Sequence, residues 1–313
     1  MNSTWYRGIA VGVDGSEESL AALDWAAHAT DLHGARLTVV ATYPVPATLA
    51  PWDGDLASSA QEGARCAAQA ARARLGQQRP GDRDVEMIVQ PGSAAHALSQ
   101  RSTTCDLVVV GRRGLSTLDR ALLGSTSSAL AASAPGAVAV VPAGATTGNP
   151  SRIRVRVGRD DGPDPLGAAF AEAAVRGCPL EVLHVTSSGP TSSVLPHMDP
   201  VGGTWRAVAA ADLADQVARW AEQYPQVTYT MAIRHGDPVS MVLHELTPDD
   251  LVIVGGRRHP PTLGRVLHSV PDAVLRAAPC PVVMVHAPAS GHLMTSRRAS
   301  LATWKVLDGF SKC

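Results

Sequence analysis

The 313-residue chain says nearly the same thing twice, and that repetition limits the fold more than any single motif does. Ile9 to Asp14 is restated by Arg154-Val-Arg-Val-Gly-Arg-Asp160, and Leu37 to Thr42 by Leu180 to Val185. The run ending at Gly92 returns as Tyr229 to Ile233 with Gly236. Asp106 to Gly111 returns as Asp250 to Gly255, and Pro135 to Val141 as Pro279 to Val285. The offset holds at 144 to 146 residues, apart from a small deletion near Gly177. A repeat of this length is a tandem duplication of a whole domain. The reading is residues 1–145 as the first domain and 151–286 as the second, with the small-residue linker Ala143 to Pro150 between them. Residues 287–313 change composition: they hold both lysines, Lys305 and Lys312, and read as a flexible tail. Arg297-Arg-Ala-Ser300 has the form of a basophilic kinase site, a four-residue match that is usually accidental.

Within each unit, short β-branched runs alternate with alanine-rich stretches of helical length. In the first, Gly8 to Val13 reads as a buried strand, and Asp14-Gly15-Ser16 as a sharp turn. Ser16 with Glu17 and Glu18 opens a helix that stops near Gly34. Strands follow at Leu37–Thr42, Val85–Val89, Leu107–Val110 and Ala137–Val141, with helices at Ala57–Leu75, Ala94–Arg101 and Ser127–Ala134. Such alternation predicts an α/β fold: two tandem, doubly wound parallel-sheet domains of five strands each.

Composition narrows the function. The chain carries 27 basic and 28 acidic residues, which argues against a general nucleic-acid or membrane surface. No apolar run approaches the ~20 residues that span a bilayer, and the start lacks a charged and then apolar leader; a cytoplasmic location is the expectation. The five scattered cysteines include no CxxC pair, so neither a metal cage nor a disulfide framework is indicated. A GxSxG elbow, a HExxH pair and a Walker lysine loop are all missing, so the expectation is a binder and not an enzyme.

The stretch with chemistry is Gly111-Arg-Arg-Gly114, nine residues, then Gly124-Ser125-Thr126-Ser127. A buried strand delivers a glycine loop, and a second glycine with hydroxyl residues opens a helix, which brings free N–H groups to bear on an anion, typically phosphate. Arg112 and Arg113 could neutralise phosphate charge where no lysine is at hand. Asp14 stands at the carboxyl end of the first strand, where open α/β sheets place ligands. Asp14 and Asp106 are the two carboxylates available to assist Mg²⁺. The plainer account is that these glycines make tight strand-to-helix connections, that Asp14 caps a turn, and that Thr42 merely ends a strand. His184, inside an apolar strand, reads as a core histidine, and Cys105 and Cys280 as small hydrophobes.

With both units laid out, the chain resembles the universal stress protein family in its tandem form, over about residues 5–286. The resemblance rests on Val11-Gly-Val-Asp14-Gly-Ser16, Val39-Val-Ala-Thr42, Gly92 and the Gly-x2-Gly-x9-Gly-Ser loop, the ATP-binding signature of that family's nucleotide-binding branch. It implies an adenine nucleotide alpha hydrolase-like fold and pairing through the last strand, either within the chain as a pseudo-dimer or in a homodimer. It also implies ATP, with or without Mg²⁺, held by Gly12, Asp14, Thr42, Gly111, Arg112, Gly114, Gly124, Ser125 and Thr126. The function implied is a nucleotide-dependent stress sensor or regulator with a regulatory protein partner; the alternative is a slow ATP hydrolase or self-phosphorylating enzyme. The second unit departs from the signature. Asp160, Gly255 and Ser269 are kept, but Arg258 and His268 replace Gly114 and Gly124, and Val270 and Pro271 replace Thr126 and Ser127. One intact site and one impaired site are expected.

Overall fold

The computed structural model describes residues 5–45, 54–78, 85–115, 123–158, 164–186, 202–256 and 269–286. Asp160, the cluster Arg257, Arg258, His259 and His268, and the 287–313 tail with Arg297–Ser300 lie outside the described residues.

The first half runs β1 (Gly8–Gly12), α1 (Glu17–His33), β2 (Arg36–Tyr43), α2 (Gly54–Gln78), β3 (Val85–Pro91), α3 (Ala94–Arg101), β4 (Leu107–Gly111), α4 (Ser125–Ser133) and β5 (Ala137–Val141). The second repeats it: β6 (Arg152–Arg156), α5 (Asp164–Arg176), β7 (Leu180–Thr186), α6 (Gly202–Gln223), β8 (Tyr229–His235), α7 (Pro238–Leu243), β9 (Asp250–Gly256), α8 (Val270–Ala277) and β10 (Val282–His286). Among the described residues these strands form a single sheet in the order β3-β2-β1-β4-β5-β10-β9-β6-β7-β8. Every pairing within a half is parallel, and the halves join where β5 and β10 run antiparallel, with Val138 opposite Met284 and Val140 opposite Val282. The last-strand pairing implied by the resemblance is thus made within the chain.

Strand side chains alternate between the two faces, as a doubly covered sheet requires. Ile9, Val11, Leu37, Val39 and Val109 bury against α1, α2, α5 and α6. Ala10, Val40, Val108 and Val110 bury on the opposite face, with α3, α4, α7 and α8. Both apolar layers continue from one half into the other. The linker is anchored too: Thr146 N–H and Ser151 N–H donate to the carbonyls of Pro248 (3.1 Å) and Asp249 (2.7 Å).

Matching glycines end matching elements. Gly34 and Gly177 close α1 and α5 with φ of 62° and 64°, the left-handed turn that glycine adopts without a Cβ penalty. On the α1/α5 side the halves share a buried polar cluster. His33 Nε2 lies 3.1 Å from Glu172 Oε1, Arg176 Nε donates to Glu172 Oε2 at 2.5 Å, and the Arg176 guanidinium sits 5.1 Å from the centre of the Trp25 ring. All three charged or titratable side chains are fully buried.

Candidate functional site

The carboxyl ends of β1, β2 and β4 converge with the start of α4 around a cleft. In the order 3-2-1-4-5 the chain reverses direction between β1 and β4, and such a switch point is where open α/β sheets leave a crevice. Gly12, Asp14 and Thr42 line it from β1 and β2, Gly111 and Gly114 from the loop after β4, and Gly124, Ser125 and Thr126 from the start of α4. The cleft encloses about 140 Å³. That is below the ~300–1,000 Å³ of pockets that engulf a drug-sized ligand, so a larger guest would keep one side in solvent.

The glycines turn out to serve the protein's own packing. A Cβ on Gly111 would sit 2.8 Å from the Glu18 backbone carbon, so this position lets the first turn of α1 press against the end of β4. A Cβ on Gly114 would collide with Asp14 Oδ2, and one on Gly12 would lie 2.7 Å from Leu98 Cδ1. What the loop offers a ligand is therefore the backbone brought close, not empty space where side chains would be.

Asp14 acts as a clasp. Its Oδ1 accepts from the Ser16 N–H (3.0 Å) and hydroxyl (2.6 Å), and its Oδ2 from the Leu115 N–H (3.1 Å), which ties the glycine loop to the turn before α1. Burial by itself would raise its pKa, but these donors outweigh that and hold the carboxyl below its usual range. Asp106 lies at the other end of the sheet, accepting from Arg7 N–H (2.7 Å) and Gly8 N–H (3.3 Å). At ~3.3 Å per strand residue the two carboxylates are roughly 15–20 Å apart. The expectation that Asp14 and Asp106 assist one Mg²⁺ is overturned. Among the described residues no group of three His, Cys, Asp or Glu is placed to hold a metal.

Helix α4 starts open. Gly124 is its N-cap and makes no side-chain cap, so the first-turn N–H groups of Ser125, Thr126 and Ser127 face the cleft those residues line. The Arg112 carbonyl fixes this geometry by accepting from Gly124 N–H (2.8 Å) and the Ser127 hydroxyl (2.9 Å).

Arg112 is the expected residue that does not join the cleft. Its Nη1 donates instead to the carbonyls of Arg276 (3.2 Å) and Ala278 (3.1 Å), at the end of α8 in the other half. Burial lowers its pKa from the ordinary arginine value. Arg113 does line the cleft, but its guanidinium and its N–H are both engaged by the carboxylate of Glu18. Val40, Ala94 and Leu98 form an apolar wall that sequence reasoning passed over. Their signal was weak: Val40 reads as plain strand, and Ala94 and Leu98 as an ordinary short helix after Gly92.

The second half is built differently at each of these points. Val13 N–H donates to the Val40 carbonyl and Val157 N–H to that of Leu183, so backbone register sets Gly158, not Asp160, in the place of Asp14. Asp160, which the sequence comparison set there, lies outside the described residues. By the same register Arg156 occupies the place of Gly12. Ser269, aligned with Ser125, serves as the N-cap of α8, its Oγ accepting from Asp272 N–H (3.3 Å) and donating to Asp272 Oδ2 (2.6 Å). Pro271 in that turn has no N–H to give. His184, expected in the core, is half-buried, with Nδ1 2.8 Å from the Val157 carbonyl. Cys280 is buried and Cys105 partly so.

A sequence profile of the universal stress protein family matches residues 6–142 and again residues 151–286. A universal stress protein of Mycolicibacterium smegmatis is 34% identical over 291 residues, covering 89% of this chain and 96% of its own. One from Mycobacterium tuberculosis is 32% identical over 295 residues, with the same two coverages. The crystal structure of a universal stress protein from Archaeoglobus fulgidus superposes with a TM-score of 0.64 at 19% identity, over 91% of this chain and 97% of that one, a likeness of fold. No described helix is long and apolar enough to cross a membrane.

Proposed function

We propose, for a chain that belongs to the universal stress protein family, that the first-half cleft binds an adenine nucleotide, ATP in the simplest case. The proposal includes a regulatory role in which occupancy of that cleft biases the joined halves, without catalysis. One observation carries it: the uncapped N-terminus of α4 turns the N–H groups of Ser125, Thr126 and Ser127 into the same cleft that Gly111 and Gly114 line. Orphan amides together with the helix dipole favour an anion there. The apolar wall of Val40, Ala94 and Leu98 offers a flat base a dry surface, and Thr42 a hydroxyl at its edge.

The regulatory reading is supported by how the cleft's titratable groups are spent. Asp14 accepts three hydrogen bonds from its own turn and loop, and so is poorly placed to take a proton from water or a hydroxyl. Linkage limits what a regulator of this kind can do: a nucleotide shifts the chain between two states only by the difference in its affinity for them.

The site should be single. In α8 the cap closes on itself: the Asp272 carboxylate holds the Ser269 hydroxyl, and Pro271 has no N–H to offer. Isothermal titration with ATP is expected to give one site per chain, abolished by Gly114→Glu. Two equal sites, or one site indifferent to Gly114→Glu, would count against the assignment.

A further inference from the structure

The joint between the halves contains a histidine whose two ring nitrogens face the same kind of acceptor. His286, the last residue of β10, is 5% exposed and lies on the sheet face that carries α4. Its Nε2 is 2.9 Å from the Ala131 carbonyl and its Nδ1 is 3.0 Å from the Gly136 carbonyl, both in the first half. The sequence itself creates the need for this contact. In a continuing helix the Ala131 carbonyl would accept from residue 135, but Pro135 has no N–H to give. Gly256, beside His286 on β9, makes room for the ring, since a Cβ there would lie 2.9 Å from His286 Cδ2.

Two carbonyls at hydrogen-bond distance call for two N–H donors. A neutral imidazole has one, and its other nitrogen would turn a lone pair toward a carbonyl oxygen in a buried place. The imidazolium has two, and its charge meets the negative end of α4. Arg112 makes the reciprocal contact, from the first half to the end of α8, with a guanidinium that stays charged. The two crossed caps are alike in placement and different in chemistry: one is permanent and the other titrates.

Helix α4, β5 and the turn between them carry no titratable side chain. Toward Gly136 stand Arg101, which ends α3, and Cys105 and Asp106; the Asp106 carboxylate accepts from the N–H groups of Arg7 and Gly8. Helix α8 brings Asp272, bonded to Ser269, and Arg276, whose Nε donates to the Asp272 carbonyl. Asp250 is at the far end of β9, held by Arg152, and Glu172 and Arg176 of α5 are on the other face of the sheet. Arg257, Arg258 and His259, which follow β9, lie outside the described residues. We propose that His286 is held as an imidazolium and is a pH-sensitive latch between the halves, closed on the Ala131 and Gly136 carbonyls while protonated and released when the ring becomes neutral. The latch belongs to the joint and does not depend on what the cleft binds. Linkage gives its sign. The folded chain keeps a proton that an unfolded histidine gives up near a pH of about 6.5. The latch therefore stabilises the chain fully below that pH, and the contribution is lost as pH rises and the buried ring deprotonates.

Two measurements on the full chain test it. In nitrogen NMR spectra of isotope-labelled histidine at about pH 7.5, both ring nitrogens of His286 should read as protonated, while the exposed His96 shows one bare nitrogen. The signal is assigned by its loss in His286→Gln or, should that variant fail to fold, by its closeness to Gly256 in the native chain. The second measurement is the thermal midpoint of the native chain and of His286→Gln across the pH range. The advantage of the native chain should shrink by about 3 °C between pH 5.5 and 9.5. Every other titrating group is common to both chains and cancels in that difference. A bare nitrogen on His286 at pH 7.5 overturns the proposal, and so does an advantage that holds constant or grows as pH rises.

Discussion

Helices α4 and α8 occupy the same place in the two halves, follow equivalent strands, and end alike, with Ala134 N–H bonded to Leu130 and Ala278 N–H to Val274. They differ at their beginnings. Helix α4 is one residue longer, starts from a glycine without a side-chain cap, and presents Ser125, Thr126 and Ser127 to a cleft. Helix α8 starts from Ser269, which bonds to Asp272, and carries a proline in its first turn. The fold therefore needs the strand, the turn and the helix; it does not need the open helix end. Two copies of one architecture separate structural demand from ligand-binding capacity, which a single domain cannot do.

The comparison has a precondition, that both halves stand or fall together, and the largest expected effect bears on it. Glu172 of α5 is fully buried between His33 of α1 and Arg176. Burial would raise its pKa, but the Arg176 charge and the His33 hydrogen bond outweigh this and bring it down to about 2. Glu172→Ala leaves Arg176 buried without its carboxylate and should cost about 3–5 kcal/mol, seen as a lower midpoint of one cooperative unfolding transition. If the two halves unfold separately, with the first unaffected, the cluster does not join them. The sign of the pH dependence follows from the depressed pKa. The stabilisation is complete above the unfolded carboxylate value near 4.3 and is lost as pH falls toward about 2. The gap in melting temperature between the native chain and Glu172→Gln should accordingly narrow on acidification through that window.

The next effect concerns binding, and it moves one half toward the other. Counted from each N-cap, Thr126 of α4 corresponds to Pro271 of α8. Thr126→Pro places proline in a first helical turn, which tolerates it, and deletes one of the three amides facing the cleft. A hydrogen bond to a charged group contributes about 1.5–3 kcal/mol, so nucleotide affinity should fall by roughly ten- to a hundred-fold with the melting temperature nearly unchanged. Unaltered affinity by calorimetry would show that the amides of α4 are bystanders.

Much of this was legible in the sequence, for reasons that differ from residue to residue. Gly12, Asp14 and Thr42 could be placed because strand ends of a parallel sheet converge on one edge, so motif and topology gave the same answer. Gly111, Gly114 and Gly124 line the cleft that their spacing points to, though their close neighbours are protein atoms and not an open site. Arg112 was misplaced because the direction of its side chain depends on carbonyls 164 and 166 residues away. In the second half the backbone register sets Gly158 at the place of Asp14, a match that composition does not reveal. Glu172 and Arg176 have the i,i+4 spacing of an ordinary surface pair, and only the packing of α5 against α1 buries them. Glu18 has the same ambiguity: a first-turn acid by spacing, an inward-facing anion by packing.

Arg112 yields the smallest effect and the finest form of the comparison. By register its counterpart is Gly256, which has no side chain to reach across, yet the halves still cap one another. Arg112 donates to the carbonyls of Arg276 and Ala278 at the end of α8, and both ring nitrogens of His286, at the end of β10, lie 3.0 and 2.9 Å from the carbonyls of Gly136, just before β5, and Ala131, in the last turn of α4. A cation at a helix C-terminus satisfies orphan carbonyls and opposes the negative end of the dipole, typically for 0.3–1 kcal/mol. Arg112→Met keeps the half-buried stem and removes the donors, so it should lower global stability by about 1 kcal/mol. Because the Arg112 carbonyl, and not its side chain, positions Gly124 and Ser127, adenosine affinity should stay within about two-fold. A larger loss of binding would mean that the strut from the loop to α8 holds the cleft in shape, and that the second half, whose own helix end is capped by Ser269, helps to build the first half's site.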